Sequence, residues 1–362
     1  MTYLKLYVTP MLTVVVAVGV LTGGPWMWSG LVIALVLMVG GDALLGSDYS
    51  TPDVRHPVLI QLPLYLSLPI LAGLLTCLAW SVSSVDFLGL GSAVFRATGV
   101  DILAARATRE WWHVLGGVLS TGLLVAGYGT NVAHELTHQS NRVFPRTVGR
   151  WVLAMSANAD FSIEHVFGHH ARVATPEDPA TARRGENVYA FALRSTWDGH
   201  LSAWRIETRR LTQHGIGRWD PRNRMLSGYL MTVVWAWLFF AAAGWMGVGV
   251  FAAQAAFAKF ILEVVNYMEH YGLRRRPGEP VQPHHSWNSN RRMSAVVLYS
   301  LVRHSAHHEH ARVPFWKLDP YPDAPEMPVG YLTLILICLL PPVWYRMMVP
   351  RLADWDTKYA GD

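Results

Sequence analysis

Two histidines, His134 and His138, stand four residues apart in HELTHQ, where an apolar run gives way to polar sequence. Residues at this spacing project from one face of a helix, so both imidazoles can bind one metal ion. With Glu135 between them the segment spells HExxH, the pattern in which zinc peptidases use the glutamate as a general base. The spacing alone does not separate a peptidase from a larger metal site, so the other histidines must decide.

Three further histidine clusters follow along the chain: EHVFGHH, NYMEHYG and RHSAHHEH. On a helix, spacings of three or four residues stack imidazoles on one face, and a doubled histidine adds a neighbour about 100° round that can turn towards a second ion. Two, three, one and three residues from the four clusters make nine imidazoles. One zinc ion takes four ligands, so nine imidazoles predict two metals.

The size of this inventory argues against a zinc peptidase, which would leave six clustered histidines without a role. All-imidazole coordination suits iron, zinc or copper, so ligand chemistry alone does not name the metal. Open positions on a redox-active pair would suit dioxygen chemistry. The remaining histidines are interpreted as surface or structural residues: His310 next to the last cluster, His284 and His285 facing solvent from a loop, and the isolated His56, His113, His200 and His214.

The elements that must position these clusters are membrane helices. The chain has 362 residues, of which 52% are hydrophobic and only 15% charged, a composition typical of integral membrane proteins. Six long apolar runs approach the roughly 20 residues that cross a bilayer as a helix. They cover about 6–21, 26–45, 57–80, 112–133, 227–245 and 248–267. A seventh run, 329–349, contains Pro341-Pro342 and is predicted to be interfacial or re-entrant.

The distribution of arginine predicts the orientation. Thirteen arginines lie between Gln139 and Ser227, and six more crowd the stretch 274–303 after the sixth apolar run, so the positive-inside rule puts segments 134–226 and 268–362 in the cytoplasm. Six spans then leave both termini inside, in one membrane-embedded catalytic domain, 1–362. The net charge of +5 is explained by orientation and by contact with anionic headgroups, without nucleic acid. Cys77 and Cys338 fall in apolar runs and are interpreted as packing residues.

Taken together, these motifs resemble the membrane-bound di-iron alkane monooxygenases, within the integral-membrane fatty acid desaturase and hydroxylase superfamily. The resemblance rests on HELTH, EHVFGHH, ATPEDPATARRGENVYAF, NYMEHYGL, HSWNSN and LVRHSAHHEHA, and it extends over nearly the whole chain. NYMEHYGL and HSWNSN are its most specific parts, because plain desaturases share the histidine boxes only. The C-terminal stretch also resembles relatives that hydroxylate the methyl group of xylenes or cymene.

This resemblance implies an all-α integral membrane enzyme with about six transmembrane helices and a di-metal region at the cytoplasmic side of a bacterial inner membrane. It implies two non-haem irons that split dioxygen and place one oxygen atom on a terminal carbon. Electrons would come from NAD(P)H through a separate reductase and a rubredoxin or ferredoxin. The implied metal ligands are His134, His138, His165, His169, His170, His270, His304, His307 and His308.

Acidic residues near the clusters are candidates to support the ligands, because metal-bound histidines usually donate their second ring nitrogen to a carboxylate or carbonyl. Glu135, Glu164 and Glu269 adjoin a ligand, and each is expected to support a histidine of another cluster, since neighbouring helical residues point about 100° apart. Further candidates are Asp160, Asp178, Asp42 and Asp48. A basic face that could dock an acidic electron donor is predicted at Arg183, Arg184, Arg274, Arg275 and Arg276.

Five functions therefore remain open from the sequence. The first is terminal hydroxylation of an n-alkane, and its nearest alternative is hydroxylation of an alkylaromatic methyl group of the xylene or cymene type. An acyl-lipid desaturase or hydroxylase comes next, disfavoured by NYMEHYGL and HSWNSN. An intramembrane zinc metalloprotease is a different class, as is a non-catalytic scaffold or metal store.

Overall fold

The computed structural model describes residues 2–52 and 54–359. This part of the chain is built from helices, and the β-structure in it consists of two isolated bridges, Ser47 with Arg291 and Asn288 with Glu326. Both bridges tie the segment 288–291, at the end of the HSWNSN block (285–290), to other parts of the chain. The helical class and the membrane character predicted from composition are confirmed.

Four helices in the described ranges are long and apolar enough to cross a membrane: Tyr3–Thr22, Gly24–Leu45, Pro57–Val82 and Arg224–His270. The predicted run 112–133 lies in continuous helix over 111–138, formed by Trp111–Leu124, a π-helical turn Val125–Thr130, and Asn131–His138. The other main helices are Leu90–Thr98, Ile102–Ala107, Val143–Ala154, Phe161–Glu164, Val188–Gln213, Arg292–Val297 and His304–Glu309.

The longest helix, Arg224–His270, is two arms of a hairpin. Ala243 and Gly244 leave the helical region, and Gly244 has a φ of 59°, which glycine adopts without strain. The rings of Phe239 and Phe251 lie 5.3 Å apart, whereas twelve residues of straight helix would separate them by about 18 Å. The arms correspond to the predicted runs 227–245 and 248–267, and their use as separate membrane spans stays a prediction.

The seventh apolar run is broken. Tyr331–Cys338 and Pro341–Tyr359 meet at an angle of 118°, close to Pro341-Pro342. Proline lacks the backbone N–H that a continuing helix needs, so a break at this point follows from the sequence. The bend is the geometry of a broken span or a re-entrant piece, as the proline pair predicted.

The helices pack so that their polar ends meet at one place. Val8–Thr22 runs along Pro57–Val82, and Trp111–Leu124 packs against Arg224–His270. Asp42, at the end of Gly24–Leu45, accepts hydrogen bonds from the backbone N–H and the hydroxyl of Ser294. This contact pins the second apolar helix to the first turn of Arg292–Val297, only ten residues before the last histidine cluster. The histidine-bearing segments are thereby held together.

Candidate metal centre

The nine predicted ligand histidines gather in two groups at the ends of the helices. His134, His138, His165, His170 and His307 form one group, and His169, His270, His304 and His308 form the other. Within each group the ligand atoms all lie within 4.8 Å of one another. Residues from four separate chain segments thus converge as the spacing predicted, while their role as metal ligands stays a prediction.

Each ring turns its Nε2 atom towards the centre of its group. In the five-histidine group, the Nε2 atoms of His134 and His165 are 2.6 Å apart, and those of His165 and His170 are 3.0 Å apart. In the four-histidine group, His308 Nε2 lies 2.9 Å from His304 Nε2 and 3.2 Å from His169 Nε2. Neutral imidazole nitrogens that face one another in this way are a donor set for a borderline metal ion such as iron, zinc or copper.

A π-helical turn distributes the histidines of EHVFGHH between the groups. Residues His165–His169 form this turn, in which the backbone bonds span five residues instead of four. His165 and His170, five apart, therefore join the same group, while His169, four residues from His165, joins the other. In the α-helix His304–Glu309, by contrast, His304 and His308 share a group and His307 lies in the second.

Most of the rings are kept neutral by their surroundings. Burial away from water lowers the pKa of His165, His170, His307 and His308 well below the usual histidine value, and neighbouring rings lower it further. Burial also lowers the pKa of His304, to about 3. A neutral imidazole offers a lone pair to a metal, so each group suits an ion, and two adjacent groups suit a pair of ions.

Two carboxylates contact the four-histidine group. Asp178 Oδ2 lies 2.9 Å from His169 Nδ1, on the side of the ring away from the group, and both side chains are buried. Burial lowers the pKa of His169, but the nearby carboxylates, Asp178 first and then Glu164 and Glu269, together raise it above the usual histidine value. Glu269 Oε2 lies 3.3 Å from His304 Nε2, and its other oxygen accepts a hydrogen bond from Tyr331. Glu269 is thus a further oxygen ligand available to a metal in this group.

The other predicted acids lie elsewhere. Glu164 pairs with Arg172 at 2.8 Å, and Asp160 contacts His200 at 3.0 Å. Asp42 binds Ser294, as described above, and Asp48 accepts hydrogen bonds from Ser50. Glu135 is buried, and the contacts described for it include no histidine. Of the predicted carboxylates, only Asp178 and Glu269 contact a clustered histidine in the described part of the chain.

The prediction that His285 faces solvent is wrong. Its side chain is buried, and its Nδ1 accepts a hydrogen bond from the backbone N–H of Gln282. The loop is anchored next to it, because Trp287 donates to the carbonyl of Tyr271. His113 is bound in a similar way to the backbone of Glu110, at the start of its helix. His310 is exposed, as expected of a surface residue.

Sequence inspection missed a charged pair inside the sixth apolar run. Lys259 Nζ lies 2.7 Å from Glu263 Oε1, and Glu263 is almost fully buried. The signal that could have found them is their spacing: a lysine and a glutamate four residues apart form a helical ion pair. Ionisable residues in a membrane helix cost free energy to bury, and they usually have a function.

The chain is similar to known membrane oxygenases over almost its full length. A sequence model described as "Fatty acid desaturase" matches residues 109–335. Alkane 1-monooxygenase 1 of Pseudomonas aeruginosa is 36% identical over 349 residues, 93% of this chain and 86% of the relative. Alkane 1-monooxygenase 2 of Alcanivorax borkumensis is 31% identical, covering 95% and 87%.

A methyl-group oxygenase is also among the relatives. The xylene/toluene monooxygenase hydroxylase component XylM of Pseudomonas putida is 29% identical, covering 99% of this chain and 91% of the relative. The family match includes all nine clustered histidines, since they fall between residues 134 and 308. The chain therefore belongs to the fatty acid desaturase family of integral membrane proteins and is an oxidoreductase of the alkane 1-monooxygenase kind.

Proposed function

We propose that this protein uses dioxygen to hydroxylate the terminal carbon of an n-alkane, at two non-haem irons held by the nine histidines. The observation that carries the proposal is an apolar cavity between the membrane helices that ends at both histidine groups. The similarity to alkane 1-monooxygenases supports the same substrate class. Per turnover, one C–H bond becomes C–O–H, and the second oxygen atom leaves as water after taking up two electrons and two protons.

The cavity of about 120 Å³ is lined mainly by aliphatic side chains. His134 and His165 of the five-histidine group and His304 of the four-histidine group line its inner end. Along the helix that carries His134, the lining extends back to Leu123, roughly 16 Å at 1.5 Å per residue. Such a space accepts an extended alkyl chain with its terminal methyl group at the metals.

The protein's own contribution is to bind and orient the chain and to exclude water. Each CH₂ group moved from water into the cavity stabilises the bound substrate by about 0.8 kcal/mol. Leu37, Leu124 and Ile335 line the cavity and keep it apolar. The irons, when bound, supply the oxidising power that a strong, non-polar C–H bond requires, because acid–base groups cannot activate such a bond.

The first prediction concerns the far end of the cavity, where Val16 is buried in the wall. Replacing Val16 with phenylalanine should shorten the accepted chain, since the added ring occupies the space of several methylene groups worth about 0.8 kcal/mol each. We expect turnover of long alkanes to fall while short alkanes are still converted. Product analysis across a series of chain lengths measures this.

The matched control is Val18→Phe, because Val18 lies on the same helix but is 58% exposed on the outer surface. This variant should keep the chain-length profile of the native protein. An unchanged profile in Val16→Phe would show that the substrate does not use this end of the cavity.

Electrons are proposed to enter from NAD(P)H through a reductase and a rubredoxin or ferredoxin that docks on a basic cavity of about 870 Å³. All five predicted docking arginines line it, but their roles differ. Arg275 is buried and binds backbone carbonyls, and Arg184 pairs with Asp356. Arg183, Arg274 and Arg276 are exposed and remain as contacts for an acidic partner, since the Arg276 side chain is 71% exposed in spite of its ion pair with Glu279 at 3.5 Å. Asp178, which contacts His169, also lines this cavity.

The second prediction tests this docking face. The double charge reversal Arg274→Glu and Arg276→Glu should raise the KM for the donor about tenfold or more at low salt, because exposed charges govern the encounter with a charged partner. The difference should shrink at high salt, where exposed charges are screened. Steady-state kinetics with varied donor concentration measure both effects.

Arg222→Glu is the control, because Arg222 is an equally exposed arginine outside the cavity, paired with Asp220. It should leave the KM unchanged. Equal effects of the control and the double variant would mean that only the overall charge matters, and this face would then lose its assignment.

The function itself is tested with purified protein in lipid, supplied with NADH, reductase, rubredoxin and oxygen. We expect 1-octanol from octane and iron as the bound metal. Product from p-xylene but not from octane would favour the methyl hydroxylation suggested by the similarity to XylM. An unsaturated or hydroxylated acyl lipid would indicate a desaturase or hydroxylase. One zinc per chain without iron would indicate a protease, and no product from any substrate would support a metal store.

The orientation is part of the proposal. Segments 134–226 and 268–362 hold the nine clustered histidines and most of the arginines, which supports a cytoplasmic metal centre in a bacterial inner membrane. A single membrane-embedded domain is proposed as well, because each histidine group draws residues from both segments.

A further inference from the structure

A cluster of charged residues lies beside the metal centre without contacting it. Lys259 donates to the amide oxygen of Asn158 at 2.8 Å and pairs with Glu263. Both charged residues belong to the apolar hairpin helix, where burying charge is costly. Stability alone is a weak reason to keep such a pair, since well-packed apolar residues often stabilise a protein equally well.

These residues surround a small polar cavity of about 30 Å³. Its charged or titratable lining residues, apart from His165, are Asp160, Glu164, His200, Lys259 and Glu263. A cavity of this size and polarity is large enough for a water molecule and offers it several hydrogen-bond partners. Glu164 is held by Arg172, which does not line the cavity. The other four groups contact one another in pairs, His200 with Asp160 and Lys259 with Glu263, and can exchange protons with such a water.

The outer end of the cluster reaches solvent. The side chain of His200 is 34% exposed, and its Nδ1 lies 3.0 Å from Asp160 Oδ2. Its Nε2 contacts the hydroxyl of the exposed Tyr229 at 2.9 Å. The two ring nitrogens of His200 thus face Tyr229 and Asp160, and an imidazole can take up a proton at one nitrogen and release one from the other, so His200 can relay a proton from solvent to Asp160.

The inner end adjoins the metal centre. Asn266 Nδ2 donates to Glu263 Oε2 at 3.3 Å. Asn266, Phe161 and His165 line both the polar cavity and the apolar substrate cavity. A single layer of side chains thus separates the polar cluster from the place where oxygen would react.

We propose that this cluster delivers protons to the metal centre. The route leads from His200 through Asp160 and cavity water to Glu263, and then past Asn266, which lies between the two cavities. The inference rests on the proposed function, which consumes two protons with each dioxygen: RH + O₂ + 2e⁻ + 2H⁺ gives ROH + H₂O. The electrons come from the electron-transfer protein. A site sealed in apolar side chains needs such a route, because the substrate cavity itself excludes water.

The test compares Glu263→Gln with Glu207→Gln. Glu207 is a fully buried glutamate that pairs with Arg210 and Arg224 and lines neither cavity, so its variant reports the loss of a structural ion pair alone. Glu263→Gln should lower turnover about 100-fold, which is the lower end of the effect expected for a positioned proton-transfer group. Its iron content and melting temperature should be no lower than those of Glu207→Gln. A small permeant acid such as formic acid should restore part of this turnover.

A second measurement does not depend on activity. Gly199 lines the polar cavity, and a Cβ added to it would meet only Glu164 Cγ, at an ordinary contact distance of 4.0 Å, so Gly199→Leu should fill the cavity without removing a charged group. Radiolytic hydroxyl-radical labelling of metal-free protein should oxidise the buried Pro179, which lines the cavity, in the native chain and much less in Gly199→Leu.

The outcomes separate the two proposals. The proton route would be overturned if Pro179 were labelled equally in the native protein and in Gly199→Leu. It would also be overturned if the turnover of Glu263→Gln fell only in proportion to the loss of folded protein and the acid did not restore it. A native protein that labels as expected but makes no alcohol would instead overturn the proposed function.

Discussion

Replacing His270 with alanine is expected to abolish alkane turnover and to remove the metal held by the four-histidine group. His270 is completely buried, and its Nε2 lies 3.1 Å from that of His304. Three histidines and Glu269 would remain, around the cavity left by the missing ring. Iron analysis of the purified variant should show loss of metal, while the five-histidine group keeps its own ion. Product assays with octane measure the loss of turnover.

The matched control is His310→Ala. His310 lies in the same HSAHHEH stretch, but its ring is exposed and belongs to neither group. We expect this variant to bind iron and to produce alcohol as the native protein does. Full activity in His270→Ala would remove that residue from the ligand set, and loss of activity in His310→Ala would show that the last cluster extends further than proposed.

The positions of the nine histidines were predictable, but their division between the groups was not. The i, i+4 spacing of His165 and His169 suggests that these two rings share an ion, whereas the π-helical turn pairs His165 with His170. A π turn forms where tertiary packing accommodates one extra residue in the helix, and the local sequence carries no pattern for that. Another π-helical turn, Val125–Thr130, lies one turn before His134 in the helix that carries it.

Contacts between segments that are distant in sequence could not be predicted from local sequence patterns either. Asp42 was expected to support a histidine, yet it binds the start of Arg292–Val297, about 250 residues away. His285 was expected in solvent because it follows a proline in a polar loop, but the loop folds inward and buries it. Periodicity and composition describe faces and spans, whereas these contacts depend on how the helices are arranged around the centre.

The membrane helices illustrate the opposite case. Long apolar runs such as 57–80 follow directly from the cost of exposing backbone groups to hydrocarbon, so Pro57–Val82 was predictable within two residues. Average hydropathy did not reveal Lys259 and Glu263, because two charged residues change the mean hydropathy of a long apolar run only slightly. Their burial beside His165 became evident only from the polar cavity that they line.

Asp178→Asn is expected to lower metal affinity or turnover about 10–100-fold, the usual cost of removing a carboxylate that supports a metal-bound histidine. Asp178 holds the Nδ1 side of the His169 ring and also accepts a hydrogen bond from Thr181, so its charge orients the ligand. Asparagine keeps the shape but removes the negative charge. Iron titration of metal-free protein, together with octane turnover, measures the effect.

The neighbouring Glu177 supplies the control, because it is an acidic residue on the exposed surface next to Asp178. Glu177→Gln removes the same charge from the same loop without touching His169, and it should leave both iron affinity and turnover unchanged. If the two variants behave alike, the Asp178 carboxylate acts only through the general charge of the loop. If only Asp178→Asn loses iron, the contact to His169 stabilises metal binding by the four-histidine group. Because Asp178 also lines the basic cavity, the proposed docking site of the electron donor then borders directly on a residue that controls the metal.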